Sequence, residues 1–300
     1  MFDKFILYMS FSLASIVWNP NIELCRFFGF PLRYYSLLWV IGLAAAYFLV
    51  RKYYKDMKIE SERFEPLFIY CFFGILIGAR LGHCIFYDPG YYFSSLEHFI
   101  EMLLPISFTP KLHLTGYQGL ASHGGTIGIF IGILLYCRKY RVRLLTTLDL
   151  VCVATPLTAC CIRLGNLMNS EIIGKATGSD WGFVFVQLGE NFPRHPSQLY
   201  EAIAYFIIFI AISLIYRKNK KLVGTGFYIG FCLTAIFLFR FFVEFTKEVQ
   251  EAWEEALPID MGQILSIPFV AVGIWLMVHG FKNRFREIKH VLPYRKNPKI

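Results

Sequence analysis

Apolar runs of about 20 residues recur along almost the whole chain, and a helix of that length matches the hydrocarbon thickness of a bilayer. Read in order they cover 35–50, 67–86, 122–137, 149–168, 198–216, 223–243 and 261–281, the first reaching full length only if 32–34 extend it. Charged residues make up 17% of the chain and the mean hydropathy is +0.49, whereas a water-soluble domain carries about a quarter charged residues. A soluble fold is therefore excluded, and so is a separate soluble domain between the runs.

The charges fix an orientation. Connections 51–66, 138–148 and 217–222 with the tail 282–300 hold 20 of the 30 Lys and Arg residues, while 1–34, 87–121, 169–197 and 244–260 hold seven. Positive residues collect on the cytoplasmic side, so the expected fold is an all-α integral membrane protein. It has seven transmembrane helices, the amino terminus outside and the carboxyl terminus in the cytoplasm. The net charge of +9 follows from this alternation; without one basic patch, nucleic acid is not an expected partner.

The expected organisation is an outer-face interfacial segment at 1–30, a transmembrane catalytic domain at 31–281 and a basic cytoplasmic tail at 282–300. Outer loops fall at 87–121 and 169–197. Phe5 to Val17 resembles a signal-peptide core, but it follows a single Lys4 and lacks a small-residue cleavage site before Trp18, so an uncleaved segment is expected. Seven of the eight cysteines lie in the spans, where a thiol behaves as a small apolar group. Without a C-x-x-C pair there is no redox or thiolate metal motif.

Three arginines remain: Arg80, Arg163 and Arg240, each within or at the outer edge of a span. Polar groups at membrane depth are costly and mark functional sites by default. The densest cluster is C-I-R-L-G-N-L-M-N-S-E-I-I-G at 161–174. On a helical wheel Arg163, Asn166 and Ser170 share one face, and Glu171 joins them if the helix persists instead of breaking near Asn169. Helix capping and snorkelling explain any one of these residues but not the set. His123 precedes two glycines that leave its imidazole open, a placement that suits either a helix start or proton transfer. Tyr35 suits an interfacial belt or a substrate cavity. The 194–201 segment, with Pro196 and Glu201, reads as a helix start. Arg240 and Glu244, four residues apart, read as a pair that holds Arg240 in place. Asp260 with Gln263 reads as a capping box. Glycines at 74, 78 and 82 and at 124, 128 and 132 give two helices smooth faces for close packing.

Paired arginines reachable from lipid suit a phosphate ester, and in a membrane that means a phospholipid. His123 could accept a nucleophile's proton near neutral pH. No metal-binding pattern appears.

The segments S-H-G-G-T-I-G at 122–128, R-L-G-N-L-M-N-S-E-I-I-G at 163–174, R-H-P-S-Q-L-Y-E at 194–201, R-F-F-V-E-F at 240–245 and M-G-Q-I-L-S-I-P at 261–268 resemble the prolipoprotein diacylglyceryl transferase family, in the family's order. The resemblance implies a bacterial inner-membrane enzyme whose active site faces outward. It moves the diacylglyceryl group of phosphatidylglycerol onto the lipobox cysteine of a prolipoprotein signal peptide and releases glycerol phosphate, without a cofactor or metal. Carried over by motif, His123, Arg163 and Arg240 are the implied catalytic residues. Tyr35, Arg80, Asn166, Asn169, Glu171, Gly174 and Glu244 are the implied substrate-binding residues. The competing readings are a transporter for an anionic solute and a non-catalytic lipid-binding protein. The first commonly shows internal repeats and midplane sites, and neither is visible here.

Overall fold

The computed structural model describes residues 15–27, 30–104, 106–109, 111–114, 119, 121–248 and 259–293. Among the described residues nine α-helices form: α1 Tyr34–Asp56, α2 Ser61–Phe86, α3 Pro89–Tyr92, α4 Leu96–Leu103, α5 Ser122–Tyr140, α6 Leu144–Met168, α7 Ser197–Lys218, α8 Phe227–Val243 and α9 Met261–Lys282. Each expected apolar run became a helix, extended where charged residues continue it beyond the apolar core, as Arg51, Lys52 and Lys55 do for α1.

Among the described residues six helices are long and apolar enough to cross a membrane: α1, α2, α6, α7, α8 with its continuation to Thr246, and α9. The seventh expected span forms as α5, but it opens on Ser122-His123-Gly124-Gly125 and closes on Arg138 and Lys139. Its apolar stretch is correspondingly short.

The helical expectation holds, and short paired strands accompany the helices. These are β1 Ser15–Trp18, β2 Glu23–Phe27, β3 Phe30–Arg33, β4 Ile106–Ser107, β5 His113–Leu114 and β6 Gly182–Phe185. β1 pairs in parallel with β6, β2 with β3 as a hairpin, and β4 with β5. Ser15–Val17, the end of the signal-like stretch, is thus a strand paired with residues far along the chain. Residues 1–14, and the acidic stretch 248–255 beyond Glu248, lie outside the described residues, as does the tail after Pro293.

The chain forms two compact units, one of residues 1–50 with 148–287 and one of 51–147 with 288–300. In the second, α2 and α5 pack through the two glycine series. A Cβ built on Gly128 would lie 2.0 Å from the Gly74 carbonyl oxygen, and one on Gly124 would lie 2.2 Å from that of Gly78. Any side chain there forces the helices apart. In the same unit Arg80 is buried. Its Nη2 donates to the Glu101 carbonyl at 2.7 Å and its Nε to that of Met102 at 3.3 Å, closing the end of α4. Its guanidinium also lies 5.0 Å from the Tyr92 ring centre. Arg80 therefore ties the 87–104 arm to α2.

In the first unit β1 and β6 lie against the end of α6. Trp18 Nε1 donates to the Leu167 carbonyl at 2.9 Å, and Leu167, Phe183 and Phe185 form a buried apolar cluster. A second cluster, Cys160, Ala202 and Tyr205, joins α6 to α7. At the start of α9, Gln263 Oε1 accepts from Asp260 N at 3.1 Å within the expected capping box.

Candidate active site

The signature segment begins inside α6 and outlasts it. The helix ends at Met168, so the helical face drawn through Ser170 does not exist. Ser170 and Ile172 instead take left-handed backbone angles, φ 54° and 55°. Non-glycine residues hold such angles only where their surroundings over-determine them. The break turns Glu171 back onto the helix it leaves. Glu171 N donates to the Asn166 carbonyl at 3.0 Å, and its carboxylate accepts from Asn166 Nδ2 at 3.2 Å and Asn169 Nδ2 at 3.0 Å. Asn166 Oδ1 in turn accepts from Arg163 Nη1 at 3.4 Å. Gln198 at the start of α7 donates to the Glu171 carbonyl.

Arg163 has a stronger partner that its sequence context did not reveal. Its Nε lies 3.0 Å from Glu201 Oε2, with Glu201 fully buried. Glu201 is accordingly no simple helix-start carboxylate. Tyr205 OH donates to its Oε1 at 3.0 Å, and Lys247 Nζ lies 3.4 Å from the same oxygen. Lys247, also buried, reaches Glu244 Oε2 at 3.0 Å.

This corrects the expected Arg240–Glu244 pair: Glu244 is held by Lys247, because the helix gives way to a 3-10 turn at Glu244–Thr246. Arg240, half-buried on the last turn of α8, forms no ion pair among the described residues. A Cβ on Gly262 would lie 2.4 Å from Glu244 Oε1, so the start of α9 confines that carboxylate from the other side.

Backbone pairing joins these pieces. Gly174 and Lys247 form an antiparallel bridge, Lys175 N donates to the Thr246 carbonyl at 2.8 Å, and Gly174 N to the His195 carbonyl at 2.9 Å. A Cβ on Gly174 would meet the His195 carbonyl at 2.5 Å and Ser197 Oγ at 2.6 Å. Its place in the signature is thus one of fit. Arg194, buried and unassigned by sequence reading, spans Glu190 in bidentate fashion at 2.5 and 2.6 Å, Glu248 Oε1 at 3.1 Å and the Gly174 carbonyl at 3.2 Å. Its hydrogen bond to Glu190 holds its proton more firmly, against the opposing effect of burial, with Glu248 adding to it. Tyr35 lies against the same stretch of α6: a Cβ on Gly165 would come within 2.8 Å of its ring.

One compact unit therefore gathers Tyr35, Arg163, Asn166, Asn169, Glu171, Gly174, Arg240 and Glu244 from the expected set. His123 and Arg80 belong to the other unit. His123 is exposed on the first turn of α5. Among fully buried side-chain atoms, Asn169 Oδ1, Ser170 Oγ and Gln198 Oε1 have no hydrogen-bond partner among the described residues. Both amides have turned their donors toward Glu171, which leaves those oxygens facing elsewhere. Unsatisfied buried polar atoms cost about 1–3 kcal/mol each, and their concentration beside the signature marks it as a place built for something other than stability.

The family model described as "Prolipoprotein diacylglyceryl transferase" matches residues 23–279. A phosphatidylglycerol–prolipoprotein diacylglyceryl transferase of Bacteroides fragilis is 58% identical over 88% of this chain and 95% of its own length. Proteins of the same name from Porphyromonas gingivalis and Tolumonas auensis are 40% and 39% identical, each over 90% of this chain and over 96% and 100% of their own lengths. With the signature cluster built as described and a match across most of its length, the chain belongs to the prolipoprotein diacylglyceryl transferase family.

Proposed function

We propose that this protein transfers the diacylglyceryl group of phosphatidylglycerol to the lipobox cysteine thiol of a prolipoprotein signal peptide. The sulfur–carbon bond of a thioether forms, the glyceryl carbon–oxygen bond to phosphate breaks, and glycerol phosphate leaves. The observation that carries the reading is Arg163, a membrane-depth guanidinium oriented by a fully buried carboxylate and a signature asparagine. With Arg240 it binds the phosphodiester and offsets the charge that grows on the departing phosphate. A free thiol is mostly protonated at neutral pH, so a base that accepts its proton accelerates attack; His123 is that base. The displacement transfers no electrons and needs no cofactor.

Tyr35, Asn166, Asn169 and Glu171 line the lipid site, Gly174 permits its close packing, and Glu244 borders it. Arg80 contributes by fixing the 87–104 arm. In this reading the seven long helices span a bacterial inner membrane with the amino terminus and the site outside and the carboxyl terminus in the cytoplasm.

The test is direct. Purified protein is incubated with phosphatidylglycerol and a lipobox peptide, and the diacylglyceryl thioether is sought by mass spectrometry. Absence of product under conditions where another family member forms it overturns the proposal. His123→Gln is expected to flatten the rise of rate with pH; an unchanged profile would assign the base elsewhere.

A further inference from the structure

Four charged side chains of one unit meet in an ordered chain. Arg163 is held by Glu201, Glu201 by Lys247, and Lys247 by Glu244, while Arg240 lacks a carboxylate partner among the described residues. We infer that Lys247 is a positioning residue for the lipid phosphate: by holding Glu201 and Glu244, it keeps Arg240 free to bind the phosphate. This rests on the transferase reading above.

Glu171, Glu201 and Glu244 carry three negative charges in this region, and Arg163, Arg240 and Lys247 carry three positive ones. Without Lys247 the balance becomes negative and opposes an entering phosphodiester. Glu244, four residues past Arg240, would then find in it the nearest cation on its own element. Lys247 is 4% exposed and Glu201 fully buried, so solvent screens neither strongly. The lysine cannot drift away, because its backbone is bridged to Gly174 and flanked by the Thr246 and Glu248 pairings with residues 173–175. The pairing that closes the signature segment is thus the same one that delivers the ammonium to the two carboxylates. Lys247 needs no contact with substrate to act in this way.

The test measures kcat and KM for phosphatidylglycerol, with a lipobox peptide, in wild type and three variants. Wild type must be active; if it is not, the transferase reading fails before this inference is reached. Lys247→Met is expected to raise KM for the lipid about tenfold or more, as loss of a charge that favours substrate binding does. Lys247→Arg, which keeps the charge, is expected to stay within about threefold of wild type. The double variant Lys247→Met with Glu244→Gln restores charge balance and is expected to recover at least about fivefold of the loss, a coupling of the sign that contacting charges produce. A lysine serving stability alone would lower the active fraction, hence apparent kcat, in Lys247→Met while leaving KM unchanged. That result overturns the inference, and so does a double variant no better than Lys247→Met.

Discussion

Two fully buried carboxylates in the same unit make opposite use of their burial. Asp149, on α6, accepts from Gly224 N at 2.8 Å and Gly226 N at 3.0 Å on one oxygen and from Ile229 N at 3.0 Å on the other. It thereby caps the free amides at the start of α8, where a helix presents unpaired donors and favours a negative charge. Glu201, on α7, is surrounded by side chains: Arg163, Tyr205 and Lys247. Its Oε2, though 3.0 Å from Arg163 Nε, makes no well-directed hydrogen bond, and unsatisfied oxygens lie nearby on Asn169, Ser170 and Gln198. Asp149 is saturated by rigid backbone and holds the fold. Glu201 is held by long, redirectable groups within a cluster that has hydrogen-bonding capacity to spare. Buried charge marks stability in one place and chemistry in the other, and the identity of the donors tells them apart.

The largest effect that tests this contrast is on turnover. Arg163→Ala is expected to lower turnover about 10³-fold, the size of losing one preorganised cation at a developing negative charge, while thermal unfolding in detergent shifts by only a few degrees. A variant that instead unfolds and keeps its specific activity would place Glu201 and Arg163 in the same structural role as Asp149.

The mirror experiment is Asp149→Ala. Three buried amides lose their acceptor, which is expected to cost about 3 kcal/mol of stability, read as a lowered unfolding temperature. The molecules that remain folded keep wild-type KM for the lipid. A changed KM at unchanged stability would erase the distinction. A smaller effect sharpens it: Ser170→Gly relieves a left-handed backbone and removes a buried hydroxyl without a partner. The protein is expected to gain up to about 1 kcal/mol and lose turnover. Gains in both would mean that the strain has no function.

The helices and the signature were legible in the sequence for physical reasons that the two carboxylates do not share. A span must be continuously apolar over its length, so α1, α2 and α6–α9 announce themselves, and the matching glycine spacings of α2 and α5 announce their contact. Polar residues crowded into 163–174 stand out against that background. Asp149 and Glu201 do not, because their partners lie far along the chain: Gly224 is 75 residues from Asp149 and Lys247 is 46 from Glu201. Glu201 sits where a helix start tolerates any carboxylate, and that local explanation hid its pairing with Arg163. Lys247 carries no signal of its own within the 244–260 connection, because the bridge to Gly174 leaves no periodic trace in the sequence. The β1–β6 pair is equally silent: four residues on each side are too few for alternation to declare a strand.

A third carboxylate carries the comparison into the other unit, and it responds to pH. Glu101, 4% exposed, accepts from Phe108 N at 2.6 Å and Tyr91 OH at 2.7 Å. Burial alone would push its carboxyl up, but the Phe108 amide, with the Tyr91 and Ser107 hydroxyls, outweighs burial and holds it below the ordinary carboxylate range. The same contact pushes the Tyr91 phenol up to about 12, mainly through its bond to Glu101. A carboxylate whose pKa is depressed by folding contributes stability above its unfolded value and loses it as pH falls through the folded one. The arm holding residues 91–108 is therefore expected to be unaffected between about pH 7 and 5 and to loosen below about pH 4, read as faster exchange of the Phe108 amide relative to α2. Glu101→Gln should remove that acid-dependent step, with exchange faster at every pH. Like Asp149, Glu101 leans on a backbone amide; like Glu201, it also depends on a side-chain hydroxyl. Its loss should accordingly cost less than that of Asp149, and turnover with phosphatidylglycerol should change by less than about threefold, within the usual net span of one hydrogen bond.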